Sequence, residues 1–261
     1  MVEIRNHIRE TLARGEISLG VGLRQARSVD IAKIMKTCGY DWLFIDCEHN
    51  AMTIDQAAQL STAALGAGIT PIVRVPGYDH WNATRALDNG ALGICLPHVE
   101  TPELAAQFVS YIRYPPLGHR SVTNSLPQID FESLPLKEAT EAINAATMLM
   151  LNIESPLGVE NADAICAVKG VDAVLIGASD LSMGMGIPGQ LGHPDLAAGL
   201  QRVADACRKH RVIPGLGGVY DPDLLKRYVQ MGFRMVMAGS DMAFTLAGAR
   251  ERAKAIREFG T

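Results

Sequence analysis

Cysteine is sparse in this chain of 261 residues, and what there is forms no pattern. The five residues, Cys38, Cys47, Cys95, Cys166 and Cys207, are odd in number, scattered and free of any CxxC. That argues against a disulfide framework and for a reducing cytoplasm. Long basic runs are absent, and 24 basic against 28 acidic residues leave a net charge of −4, so neither nucleic acid nor an anionic membrane is an expected partner. No uninterrupted apolar run reaches the roughly 18 residues that a membrane span requires. The opening residues, Met-Val-Glu-Ile-Arg-Asn-His-Ile-Arg-Glu, are charged and helix-like, unlike a signal peptide. No GxGxxG follows the first strand-like segment, which removes the main support for an open dinucleotide-binding sheet. Linker composition and internal repeats are missing too, so one domain over residues 1–261 is expected.

What is present is a large apolar fraction, 48% against 20% charged, enough for a sizeable core. After an opening helix over about 3–14, strand-like and helix-like segments alternate to the end of the chain. Strands are expected at 17–22, 41–46, 71–75, 93–96, 148–154, 174–180, 212–216 and 234–238, each followed by a helical pattern. Thr53 stands where an N-cap would open the helix to residue 67. Residues 156–169 have the length and Ala-rich pattern of a crossover helix. Eight such units predict a (β/α)8 barrel. Two stretches break the rhythm: 114–136, opening on Tyr114-Pro115-Pro116-Leu117-Gly118, and the Gly-rich 182–194. A loop as long as the first is commonly a lid or a binding loop.

In such a barrel the chemistry sits where strands end. That rim holds Asp46, Glu48 and His49, then Arg74, His98, Glu154 and Asp180, and finally the glycine-rich turns 215–218 and 238–241. Each alone has an ordinary explanation: a carboxylate can cap a helix, Arg74 can be a salt-bridged structural residue, His49 a cap, His98 and His119 structural. Together they make chemical sense. Glu154 and Asp180, ending neighbouring strands, would repel unless a cation or a shared proton lay between them. With the Asn152 amide they form a sparse oxygen site suited to Mg²⁺ or Mn²⁺, with Co²⁺ or Zn²⁺ also admissible. A three-histidine zinc site is not available, and Cys47-x-His49 is a weak zinc pattern. An arginine at the same mouth can hold a carboxylate or a developing oxyanion, and a histidine can move a proton at neutral pH. The seven lysines (33, 36, 137, 169, 209, 226, 254) all fall in or beside expected helices, which argues against Schiff-base chemistry from a strand.

The motifs Ile45-Asp46-Cys47-Glu48-His49, Val73-Arg74-Val75-Pro76, Asn152-Ile153-Glu154-Ser155 and Ile176-Gly177-Ala178-Ser179-Asp180-Leu181-Ser182 resemble, in order, those of the HpcH/HpaI aldolases, the class II pyruvate aldolases. The 114–118 loop and Ala238-Gly239-Ser240-Asp241 fit the same resemblance, which spans nearly the whole chain. It implies a (β/α)8 barrel whose last helix is exchanged between subunits, assembled as a homohexamer. It also implies metal-dependent reversible cleavage of a 4-hydroxy-2-oxo acid to pyruvate, or a related acid such as hydroxypyruvate, and an aldehyde. Under it Glu154 and Asp180 are the metal ligands, Arg74 stabilises the enolate and aldehyde oxygens, and His49 is the acid/base. Asp88 tunes that histidine, with Asp46 sharing the task, while Asn152 and Ser179 contact the 2-oxo acid. Asn152 stands where Gln is usual, Ser179 where Ala is, and His98 where an apolar residue is commoner. A lyase of CoA thioesters (citryl- or malyl-CoA type) and a catalytically silent binding barrel are the competing expectations.

Overall fold

The computed structural model describes residues 4–260. Asn6 caps the first helix by accepting the Arg9 N–H, so α1 runs His7–Ala13; of the expected 3–14 span, residue 3 lies outside the described residues. The strands are β1 Ser18–Leu23, β2 Trp42–Asp46, β3 Thr70–Arg74, β4 Gly93–Leu96, β5 Met148–Ile153, β6 Ala173–Gly177, β7 Ile213–Gly217 and β8 Met235–Ser240. All neighbours pair in parallel and β8 returns to β1, closing the barrel. The interleaved helices are α2 Ile31–Thr37, α3 Ile54–Ala67, α4 His80–Asp88, α5 Pro102–Ile112, α6 Leu136–Ala146, α7 Pro156–Glu160, α8 Ala162–Cys166, α9 Ala178–Gly184, α10 Pro194–His210, α11 Pro222–Gln230 and α12 Asp241–Arg257. Thr53 and Gln56 form a reciprocal capping box at α3, as the sequence suggested.

Two apolar layers hold this together. Side chains from alternate strand positions fill the barrel, Trp42, Phe44, Ile72, Met148, Met150 and Met235 among them, and Ile8 of α1 joins them as a plug at the lower end. Gly20 belongs to that packing, because a Cβ there would meet the Trp42 ring at 2.2 Å. The opposite faces of the strands pack against the helices.

Three expectations change. The crossover expected over 156–169 is two short helices, interrupted at Asn161, whose side chain turns aside to donate to the Glu100 carbonyl. The sixth strand stops at Gly177, and Ala178–Gly184 is already helix, so Asp180 sits in a first helical turn, not at a strand end. The 114–136 loop joins α5 to α6 ahead of β5, which puts it at the amino-terminal end of the barrel. It is therefore no lid over the mouth of its own chain. Helix α12 is unusual in burying only Asp241 of its 17 residues.

Candidate active site

A cavity of about 210 Å³ opens at the carboxyl ends of the strands. Its lining includes Asp46, His49, Arg74, Asn152, Glu154, Ser179 and Asp180, seven of the eight residues singled out from the sequence. No lysine lines it.

One wall is built by β2 and β3, whose register sets Asp46 opposite Arg74. Arg74 Nε donates to Asp46 Oδ1 at 2.9 Å and Nη2 to Oδ2 at 2.7 Å, a two-pronged pair, and Nη1 lies 2.9 Å from Glu48 Oε2. The guanidinium also sits over the Phe44 ring, 5.1 Å from its centroid. Asp46 accepts the main-chain N–H groups of Glu48 and His49 as well, at 3.0 and 3.3 Å. Burial alone would lift the Asp46 carboxyl, but the Arg74 guanidinium and those N–H groups outweigh it and hold it below the usual carboxylate range. Two of the five guanidinium N–H groups are thus hydrogen-bonded, both to Asp46, while Glu48 is an ion-pair neighbour of Nη1, so N–H groups on the terminal nitrogens remain for a substrate oxygen.

The opposite wall is built by β5 and the turn from β6 into α9. Glu154 is buried, its Oε1 accepting the His98 N–H at 2.9 Å and lying 2.9 Å from His98 Nδ1, while Asn152 Nδ2 donates to Oε2. Gly177 makes room for this carboxylate, since a Cβ there would come within 2.7 Å of Glu154 Oε2. Burial raises the Glu154 carboxyl above its ordinary range, and the charges of Asp180 and Glu48 add to the rise against the opposing effect of His98. The Asn152 Oδ1 beside it is buried and, among the described residues, has no hydrogen-bond partner. An electron-rich carboxylate pair with an unsatisfied amide oxygen is the donor chemistry of a hard divalent cation. Among the described residues, no group of three or more His, Cys, Asp or Glu is clustered for a metal; the donor set here is two carboxylates and an amide.

The sequence assignments divide accordingly. His49 stands half-exposed at the rim, its Nε2 3.8 Å from Glu48 Oε2. Asp46 does not support the His49 ring; its side chain is committed to Arg74. Asp88 is not brought to His49 within one chain. It ends α4, just ahead of β4, so it lies at the opposite end of the barrel, where Arg120 Nη2 donates to it at 2.6 Å. His98, read as structural, instead bridges the two walls: Nε2 lies 2.9 Å from Glu48 Oε1 and Nδ1 faces Glu154. It does so from a left-handed backbone, φ 51°, directly after Pro97. Glu48 was on the rim without a role. Arg24 and Tyr220, which also line the cavity, were not foreseen. The signal for Arg24 was its place just beyond the first strand, a rim position as good as the others.

The HpcH/HpaI aldolase/citrate lyase family model matches residues 24–247. The chain belongs to that family. It is 33% identical to a 4-hydroxy-4-methyl-2-oxoglutarate aldolase of Hapsidospora irregularis, the match covering 98% of this chain and 96% of that one. A 5-keto-4-deoxy-D-glucarate aldolase of Salmonella arizonae is 32% identical over 97% of each. Among solved structures, an HpcH/HpaI aldolase from Desulfitobacterium hafniense superposes with a TM-score of 0.91 at 32% identity, over 97% and 98% of the two chains. Family membership and the closed eight-stranded barrel thus agree, and both bear out the resemblance carried by the rim motifs.

Proposed function

We propose that this cavity carries out reversible aldol cleavage of a 4-hydroxy-2-oxo acid to pyruvate, or a related 2-oxo acid, and an aldehyde. That the chain is an aldolase, a carbon–carbon lyase, follows from its family and its named relatives. The roles of individual residues are our own assignment. The observation that carries it is the pairing of two unlike walls across one small cavity: a guanidinium held rigid by Asp46 and Glu48, facing a carboxylate pair that lacks positive charge.

Glu154 and Asp180 would hold a divalent cation, Mg²⁺ or Mn²⁺ by the oxygen character of the donors, with Asn152 Oδ1 the third oxygen at hand. When bound, that ion supplies Lewis acidity toward the 2-oxo acid and lowers the energy of negative charge on its keto oxygen. Cleavage of the C3–C4 bond leaves an electron pair that moves to the keto oxygen as an enolate. The terminal N–H groups of Arg74 not taken by Asp46 stabilise that charge and hold the aldehyde carbonyl. His49, at the rim and reached through a water, accepts the C4 hydroxyl proton and later returns a proton to C3 of the enolate. Ser179 and the main chain of the α9 turn contact the 2-oxo acid carboxylate.

The protein is assigned as one catalytic domain acting on small molecules. Among the described residues no helix is long and apolar enough to cross a membrane, and with five free cysteines a reducing cytoplasm suits it. The nearly unburied α12, with Phe244, Leu246 and Ile256 exposed, suits a helix exchanged between subunits of a homohexamer; sedimentation equilibrium would measure the mass. The direct test of function is pyruvate release from 4-hydroxy-2-oxo acids before and after EDTA, with Mg²⁺, Mn²⁺ or Co²⁺ restored. Activity lost and regained supports the assignment; activity indifferent to EDTA overturns the metal role.

A further inference from the structure

The third side of the cavity has no part in the chemistry just assigned. Arg24 is the first residue beyond β1, and it lines the cavity with Tyr220, Ser240 and the glycines of the β7 and β8 turns, across the mouth from Glu154. Arg74, the cavity's other arginine, is charge-paired with two carboxylates. Arg24 is half-buried, yet among the described residues its guanidinium has no carboxylate within ion-pair distance. An uncompensated cation in a concave site is costly to keep unless a ligand neutralises it.

Its backbone, by contrast, is firmly held. The buried Asp241 carboxylate accepts the N–H groups of Arg24, Gln25 and Ala26 at 2.9, 2.9 and 2.6 Å. The Arg24 carbonyl takes a hydrogen bond from Arg27 Nη1 at 3.2 Å. The loop is therefore built to present this side chain, not to let it wander. Tyr220 lines the same cavity and brings a phenol to it. Gly218, at φ +86°, forms the floor: a Cβ there would crowd the Ser179 hydroxyl at 3.1 Å.

We propose that Arg24 is the residue that determines specificity for the aldehyde half, by binding a carboxylate carried on it. The proposal rests on the aldolase assignment above. A guanidinium fork in a cavity that also offers a phenol matches a planar two-oxygen anion. One acid group then sits at each end of the cavity: the 2-oxo acid end at Glu154 and Asp180, the distal end at Arg24. Keeping the two anions at opposite walls lets each meet its own positive partner and leaves the reacting C3–C4 bond under Arg74. A neutral aldehyde would leave the Arg24 charge unpaired in the complex.

The test compares Arg24→Gln and Arg24→Lys with the wild-type enzyme. The kcat/KM for addition of pyruvate to an acidic acceptor, glyoxylate, is divided by that for a neutral one, propanal. Loss of a charge-assisted pair predicts that this ratio falls about 10- to 100-fold in Arg24→Gln, with Lys restoring part of it. A second readout needs no turnover: calorimetric affinity of the metal-free protein for glutarate should fall about tenfold or more in Arg24→Gln. An unchanged ratio, or unchanged glutarate affinity in a variant that melts like the wild type, overturns the proposal. Failure of the aldolase assignment looks different, because the wild-type enzyme with Mg²⁺ or Mn²⁺ would then not exchange the C3 protons of pyruvate with deuterated water. In that case the glutarate measurement still decides Arg24.

Discussion

Asp46 and Glu154 stand at the same barrel mouth, both buried, and their environments push them in opposite directions. Asp46 meets a guanidinium and two main-chain N–H groups and is held below the ordinary carboxylate range despite burial. Glu154 meets mainly burial and two further carboxylates, with the main-chain N–H and the imidazole of His98 against them, and is held above it. The first wall is complete within the polypeptide. The second is a set of donors short of positive charge. An enzyme that must fix one group rigidly and recruit another from solution needs both kinds of carboxylate, and here they are segregated on different strands of one barrel.

Breaking the second wall should have the largest effect. Glu154→Ala is expected to reduce metal-dependent cleavage by at least about a thousandfold while circular dichroism and melting stay near wild type. Undiminished turnover in that variant would sink the ligand assignment. Arg74→Lys keeps the charge but loses the fork to Asp46, and kcat should drop roughly 100- to 1,000-fold. Arg74→Ala goes further, stranding a buried carboxylate at a cost of about 3–5 kcal/mol in denaturant unfolding.

The opposite pH signs sharpen the comparison. Because the folded Asp46 carboxyl is depressed, its contribution to stability is present above the ordinary carboxylate range and lost as pH falls through the lowered folded value. The melting deficit of Asp46→Asn should therefore shrink in acid. Glu154 is raised, so its contribution is fully present below the ordinary range and lost as pH climbs through the elevated folded value. Metal-free Glu154→Gln should then melt above wild type at neutral pH, the advantage vanishing in acid. Differential scanning calorimetry across pH 3–8 (a conventional window of about that width for carboxylates) checks both; parallel trends in the two variants would contradict the contrast. The smallest effect is expected from His98→Leu, about tenfold in the metal concentration giving half activity, since His98 touches Glu154 without itself being assigned as a ligand.

Much of this was legible in the chain. The fourth strand falls at 93–96, where the short apolar run placed it, because there propensity and burial agree. Asp46, His49, Arg74, Asn152, Glu154, Ser179 and Asp180 come to one cavity because parallel barrel strands bring their ends to one rim. Asp180 misled in detail: after Gly177 the backbone can turn directly into helix, and Ala-Ser-Asp reads equally well as a strand end. Asp88 lies apart for a topological reason, since a residue at the end of a βα helix is a full strand length from the rim of its own chain. His98 was illegible for another reason, as its reach to Glu48 and Glu154 depends on a left-handed residue after Pro97 that no periodicity announces.

One carboxylate, Asp241, holds the first loop of the barrel from the far end of the chain. During synthesis the Arg24 loop leaves the ribosome more than two hundred residues before the group that will fix it. The strands carrying Arg74 and Glu154 can meet while translation continues, whereas the Arg24 side of the mouth stays unfinished until the last strand closes against the first. A prematurely terminated chain would thus carry Arg74 and Glu154 on their two walls and lack the means to fix the loop that bears Arg24, a division between the two walls and the third side written into the order of the gene.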